Sequence, residues 1–210
     1  MANMAETIWG VTGPKILELL AENPSYQLVV CGHSLGAGVA CLLHVFLQEQ
    51  NIVPDSSCFA FAAPPTYSVP PPTAGANCTN YIYQRDVVPF LSVYAIRQYI
   101  QRINAIDAQQ LSWRERLAII RRGTGLETLK DRIQEKSLES MVGAPPLLIP
   151  AAANVWICED NTGLYTARVC DSQALTDIGI ALDLSMTQDH IPSQYEQALS
   201  NYLEDGGIPT

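Results

Sequence analysis

The stretch that decides the fold is Gln27-Leu-Val-Val-Cys-Gly-His-Ser-Leu-Gly-Ala-Gly-Val-Ala-Cys41. Gln27 to Cys31 is a short apolar run, of the kind that forms a strand buried on both faces of a parallel sheet. Gly36 to Gln50 reads as a helix, apolar at its start and polar at its end. Between them, Gly32-His-Ser-Leu-Gly36 has G-x-S-x-G spacing. In a strand-to-helix setting this spacing places the serine on a tight turn with its hydroxyl lifted above the sheet. Gly32 and Gly36 are expected to let strand and helix approach without Cβ clashes, and Ala37 and Gly38 keep the first helical turn small. The backbone N–H of Leu35, at the helix N-terminus, is aimed at a developing oxyanion.

On either side of this unit the pattern continues. Thr7 to Ala21 carries Ile8, Val11, Ile16, Leu19 and Leu20 and stops at Asn23-Pro24, which predicts a helix that Gly13-Pro14 can break or restart. Ser57 to Ala62 is a second buried strand, closed by Ala63-Pro-Pro65 and followed by a proline-rich loop from Val69 to Thr73. Asn80 to Gln84 is a third strand, ending at Arg85-Asp86. From Val93 to about Ser140 the period becomes helical, with Val93, Ile96, Ile100 and Ile103 on one stripe. Ser112 with Glu115 and Thr124 with Glu127 have capping-box spacing, and Gly123 separates the two helices they start. Ala144 to Pro150 is a loop, and Asn154–Cys158 and Leu164–Cys170 form a hairpin around Asp160-Asn-Thr-Gly163. Thr176 to Thr187 is ambiguous, and a last helix is predicted from Pro192 to Leu203. Strand, helix, strand, strand points to an α/β fold with a mostly parallel sheet and flanking helices.

Composition sets outer bounds. With 210 residues, 48% hydrophobic and 16% charged, the chain is globular. No apolar run reaches the roughly 18 residues needed to span a bilayer. Met1 to Gly10 has no basic segment ahead of an apolar stretch, so no secretory leader is expected. The expected location is cytoplasmic or peripheral to a membrane. A net charge of −9 argues against nucleic acid as a partner. The charge is uneven: Arg97 to Lys136 holds nine Lys/Arg against five Asp/Glu, a balance of +4 that leaves −13 elsewhere. Such a segment suits contact with anionic lipid head groups, although a solvated helix face has the same pattern. The six cysteines, Cys31, Cys41, Cys58, Cys78, Cys158 and Cys170, include no CxxC pair. They read as reduced thiols, with no metal site and no cofactor expected.

A nucleophilic serine needs a base, and the base needs an orienting carboxylate. When the serine sits on such a turn, acid and histidine follow it in that order. Of the three histidines, His33 adjoins the serine and is expected to point away from its hydroxyl. His44 lies over two turns along the helix, and His190 comes late, in Asp189-His-Ile-Pro192. His190 is therefore the base. Asp86 ends a strand that follows the serine unit, at the carboxyl end where such sites form. Asp55 lies at the wrong end of its strand, Asp107 and Asp131 fall in the helical segment, and Asp160 sits in the hairpin turn. Asp189 is too near His190 in the chain to meet its ring. The alternative for Asp86 is an exposed turn residue paired with Arg85.

The chain resembles the class 3 lipases, and within them the sn-1-specific diacylglycerol lipases. Four blocks carry the resemblance: Val30 to Gly38, Cys58-Phe-Ala-Phe-Ala-Ala-Pro-Pro65, Arg85-Asp-Val-Val-Pro-Phe-Leu-Ser92, and Asp189-His-Ile-Pro192 with Tyr195. The resemblance implies an α/β-hydrolase fold with Ser34 as nucleophile, Asp86 as acid and His190 as base. It implies hydrolysis of long-chain, acylglycerol-like esters in lipid metabolism, without a cofactor. It also implies one domain over 1–210 with a helical insertion at about 93–140. Phe90 departs from the family, which usually has arginine there. The family places several strands and an Arg-Gly-Thr-like loop ahead of the serine turn, whereas one helix is read before Tyr26. The expectation is a domain lacking its N-terminal strands and one of two oxyanion donors, with weak turnover or none. Two rival readings are a catalytically inactive lipid- or partner-binding module and a different serine hydrolase such as a thioesterase.

Overall fold

The structure, a computed structural model, describes residues 1–67, 77–107, 112–114, 148–149, 153–171, 175 and 185–204. Among the described residues, five strands form one sheet in the order β1 (Val29–His33), β2 (Ser57–Phe61), β3 (Cys78–Tyr83), β4 (Ala153–Glu159) and β5 (Tyr165–Cys170). The first four run parallel, and β5 returns antiparallel to β4. Around the sheet lie α1 (Ala2–Glu22), α2 (Leu35–Glu49), α3 (Val93–Asp107) and α4 (Pro192–Glu204). The result is a mostly parallel α/β sheet with flanking helices.

The hairpin strand β4 joins the sheet beside β3, with Thr79 opposite Ala153 and Tyr83 opposite Ile157. Its turn is closed by Asp160, whose Oδ1 accepts from the Thr162 N–H at 2.7 Å, the Thr162 hydroxyl at 2.6 Å and the Leu164 N–H at 3.1 Å. Inside the sheet, Asn80 and Asn154 stand side by side, fully buried. The Asn80 amide donates to Asn154 Oδ1 at 3.0 Å and its Oδ1 accepts from the Ala63 N–H at 2.9 Å. That network satisfies polar groups whose burial would otherwise cost stability, and it ties the chain after β2 to β3 and β4.

Helix α1 differs from its sequence reading. It runs unbroken through Pro14. Its sheltered line is Ala5, Trp9, Gly13, Ile16 and Leu20, while Ile8, Val11 and Leu19 are exposed. Ala5 and Trp9 pack against Val39, Leu43 and Leu47 of α2. A Cβ on Gly13 would stand 2.7 Å from the Trp9 indole, so Gly13 makes room for that ring rather than breaking the helix. The structure also places Phe90 in the core, 9% exposed beside Ile82, Leu175 and Trp156. The loop predicted at 69–73, most of the segment at 112–140 with its two predicted helices, and nearly all of 176–187 lie outside the described residues.

The strand–turn–helix unit is compact because Gly32 and the first turn of α2 touch. A Cβ on Gly32 would meet the Gly36 carbonyl and stand 2.8 Å from the Ala37 nitrogen. Gly36 is different from its sequence reading: a Cβ there would meet nothing within 4 Å. The crowding is between the Gly36 backbone and Gly32, so of these two only Gly32 must lack a side chain. Gly32→Ala is expected to destabilise the chain by about 1–3 kcal/mol through overpacking, while Gly36→Ala leaves stability nearly unchanged. Parallel urea unfolding of the two variants checks the contrast.

Candidate active site

Ser34 occupies the turn between β1 and α2 with φ 56° and ψ −125°. Few non-glycine residues adopt a positive φ, and holding one there costs on the order of 1–3 kcal/mol unless the surroundings enforce it. Here the Ser34 N–H donates to the Phe61 carbonyl at the end of β2, at 2.9 Å. The α2 packing that buries Ala37 to Cys41 holds the other side. Leu35 opens α2, where a first-turn N–H has no partner within the helix. The sequence reading expects that N–H to serve an oxyanion, and the structure puts it at the helix start. Among the described residues no strand precedes β1, and β2 is its only sheet neighbour.

The structure brings Ser34, His190 and Asp86 together. Asp86 follows β3 and is fully buried. His190 lies just before α4. Its Nδ1 meets Asp86 Oδ2 at 2.9 Å and its Nε2 meets Ser34 Oγ at 2.9 Å. A carboxylate can only accept, so Nδ1 carries the proton and Nε2 presents its lone pair to the serine hydroxyl. This is the tautomer a base toward Ser34 requires.

Asp86 makes two further hydrogen bonds. The Tyr195 hydroxyl donates to Oδ2 at 2.6 Å, and the Val88 N–H donates to Oδ1 at 2.8 Å. The exposed turn residue of the alternative reading therefore gives way to a buried carboxylate with three donors. Tyr195 also accepts from the Tyr83 N–H at 3.2 Å. Burial, reinforced by the Asp86 charge, pushes the Tyr195 hydroxyl well above its ordinary value, so it stays a donor.

Sequence reasoning gave no role to two residues that shape this site. Tyr195 was visible only as part of a block, although Tyr195, Ala198 and Tyr202 form the buried stripe of α4. His33 was expected to point away from the serine, and the structure places its ring beside His190, with centroids 4.7 Å apart. Its Nε2–H donates to the His190 carbonyl at 2.9 Å. Asp189 does not meet the His190 ring; its Oδ2 accepts from the Arg85 N–H at 3.1 Å, anchoring the histidine turn to the end of β3. His44 is buried on α2, with Nδ1 at 3.1 Å from Ser56 Oγ.

A serine, histidine and aspartate linked in this order at the carboxyl ends of parallel strands have the geometry of a serine-hydrolase triad. Residues 1–95 match the family model described as Lipase (class 3). A secreted mono- and diacylglycerol lipase A from Penicillium cyclopium is 34% identical over 85 residues, covering 39% of this chain and 28% of that protein. The Penicillium camembertii protein of the same name matches to the same extent. The matched region thus spans under a third of the length of these curated relatives. Among solved structures, a mutant MDLA from Penicillium cyclopium has a TM-score of 0.48 at 22% identity, over 87% of this chain and 54% of that one. The Rhizomucor miehei triacylglyceride lipase has a TM-score of 0.44 at 14% identity, over 90% and 52%. By sequence, residues 1–95 are thus similar to class 3 lipases, including these fungal ones. No helix among the described residues is long and apolar enough to cross a membrane.

Two measurements test this site. Tyr195→Phe removes one donor from a buried carboxylate and is expected to cost about 1–3 kcal/mol in chemical denaturation. His33 and His44 both titrate below their ordinary value of 6.5, mainly because burial penalises the imidazolium. The unfolded chain then binds protons first, so stability is lost as pH falls below 6.5 toward the folded values. The thermal midpoint is expected to be lower at about pH 5.5 than at about pH 7.5, and His33→Gln with His44→Gln is expected to flatten that slope.

Proposed function

We propose that this chain carries the nucleophile, base and acid of a serine ester hydrolase acting on acylglycerols. The observation that supports it most is the continuous path from Ser34 Oγ through His190 to Asp86, with both links at 2.9 Å. The acylglycerol substrate is supported by the match to proteins named as mono- and diacylglycerol lipases.

In this reading His190 Nε2 takes the Ser34 proton as Oγ attacks the ester carbonyl. The Leu35 N–H stabilises the oxyanion, His190 passes the proton to the departing alcohol, and an acyl-enzyme remains. Water then attacks by the same route and releases the fatty acid. Asp86 holds the tautomer and offsets the charge of the imidazolium. Tyr195 and the Val88 N–H orient that carboxylate, and His33 fixes the backbone from which His190 projects. Leu35 is the single oxyanion donor this reading assigns. One such donor is worth a factor of about 10²–10³ in rate.

Covalent labelling separates the triad from turnover. A fluorophosphonate probe is expected to modify Ser34, Ser34→Ala to abolish labelling, and Asp86→Asn to slow it by up to about 10⁴-fold through the wrong histidine tautomer. Hydrolysis is expected across a panel from short-chain esters to diacylglycerol, with diacylglycerol preferred. Labelling that survives Ser34→Ala would sink the proposal. A folded chain whose Ser34 never reacts would point instead to an inactive lipid-binding module.

A further inference from the structure

The cysteines have no short spacing in the chain, yet three of them meet in space. Cys41 lies on α2, Cys58 on β2 and Cys78 at the start of β3, and all three are buried. Their sulfur atoms all lie within 4.8 Å of one another. Cys41 Sγ and Cys78 Sγ are 3.8 Å apart. Cys58 and Cys78 are register partners across the parallel pair of β2 and β3. The residues around them, Ala37, Ala40, Ala60 and Ala63, are too small to keep the sulfurs apart.

We infer that Cys41, Cys58 and Cys78 form a buried three-thiolate site for one soft divalent metal ion of the zinc type. Zinc–sulfur bonds are about 2.3 Å long, so two sulfurs on a tetrahedral ion stand about 3.8 Å apart. That is the Cys41–Cys78 separation. A soft, d¹⁰ cation suits thiolates, while hard cations such as calcium and magnesium take oxygen. Each thiol gives up its proton as its metal–sulfur bond forms, and no electron is transferred.

A fourth ligand has a candidate on the same helix. His44 is one turn beyond Cys41 and 1% exposed, although its ring nitrogens are not among the atoms that lie within 4.8 Å of one another. Its Nδ1 is engaged by Ser56 Oγ, and its Nε2 is buried without a hydrogen-bond partner among the described residues. A bond from the other ring nitrogen to a second group is how ligating histidines are usually oriented. The ion would clamp α2, β2 and β3 together at the amino ends of β2 and β3. The Ser34, His190 and Asp86 group lies at the carboxyl ends, so the metal site is structural and separate from the triad. A buried site fills most readily as the chain folds.

The test refolds the full chain in reducing buffer with zinc, removes loose ion by gel filtration, and measures bound metal by mass spectrometry. About one equivalent is expected, with loss of metal and a lower thermal midpoint after a strong chelator. Repeating the refolding with cobalt is expected to give a sulfur-to-metal charge-transfer band. The triple variant C41A/C58A/C78A is expected to lose both the metal and the chelator effect. If that variant fails to fold, differential alkylation of the native chain reads the same site: zinc is expected to protect these three cysteines and leave exposed Cys31 reactive. Absence of metal from the refolded chain, retention by the triple variant, equal alkylation with and without zinc, or a Cys41–Cys78 disulfide in place of metal would each overturn the inference.

Discussion

Asp86 is a carboxylate with no exposure to solvent, and the placing of the last part of the chain depends on satisfying it. An unpaired charge in such a position costs several kcal/mol. Three donors meet it from three parts of the chain: the backbone of its own turn at Val88, the side chain of His190, and Tyr195 on α4. Tyr195 extends the link to the Tyr83 backbone at the end of β3, and Asp189 does the same at Arg85. The C-terminal segment is therefore held against the carboxyl end of the sheet by polar contacts that double as the support of the site. Aromatic packing of Phe61, Tyr81 and Tyr83 around Tyr195 fills the space behind them.

The second constraint is the turn at Ser34. Its positive φ persists because the Ser34 N–H is tied to β2 and α2 is packed against the sheet. Gly32 sets how closely strand and helix approach. The strained turn and the buried carboxylate stand at the ends of β1 and β3, and β2 between them sets their separation. His190 spans that gap. The opposite ends of β2 and β3 carry the thiol group, so one sheet presents two chemically distinct poles.

Much of this was legible along the chain. The apolar run before Gly32, the small residues after Ser34 and the strand at Ser57 announce themselves by local pattern, and β1, α2 and β2 follow them closely. Asp86 and His190 were reachable by chain order and elimination, because only three histidines compete. The failures have local causes too. Ile8, Val11 and Leu19 look like a core stripe, but α1 meets α2 through Ala5 and Trp9, and hydrophobicity alone does not say which face finds a partner. Gly36 looked as necessary as Gly32, since spacing cannot show on which side a Cβ would collide. The link from the His33 ring to the His190 carbonyl follows from no local rule, because it joins positions far apart in the chain.

The sequence by itself determined the strand–turn–helix unit, the mostly parallel class of the sheet and the identity of the three residues to examine. Those properties depend on backbone conformations and periodicities set by neighbours a few positions apart. Only the tertiary structure decided that β4 pairs with β3, that His190 reaches across 156 positions to Ser34, and that Cys41, Cys58 and Cys78 converge. Contacts of that kind are fixed by how elements pack and by which buried polar groups must be satisfied. Neither condition is written in any short stretch of the chain.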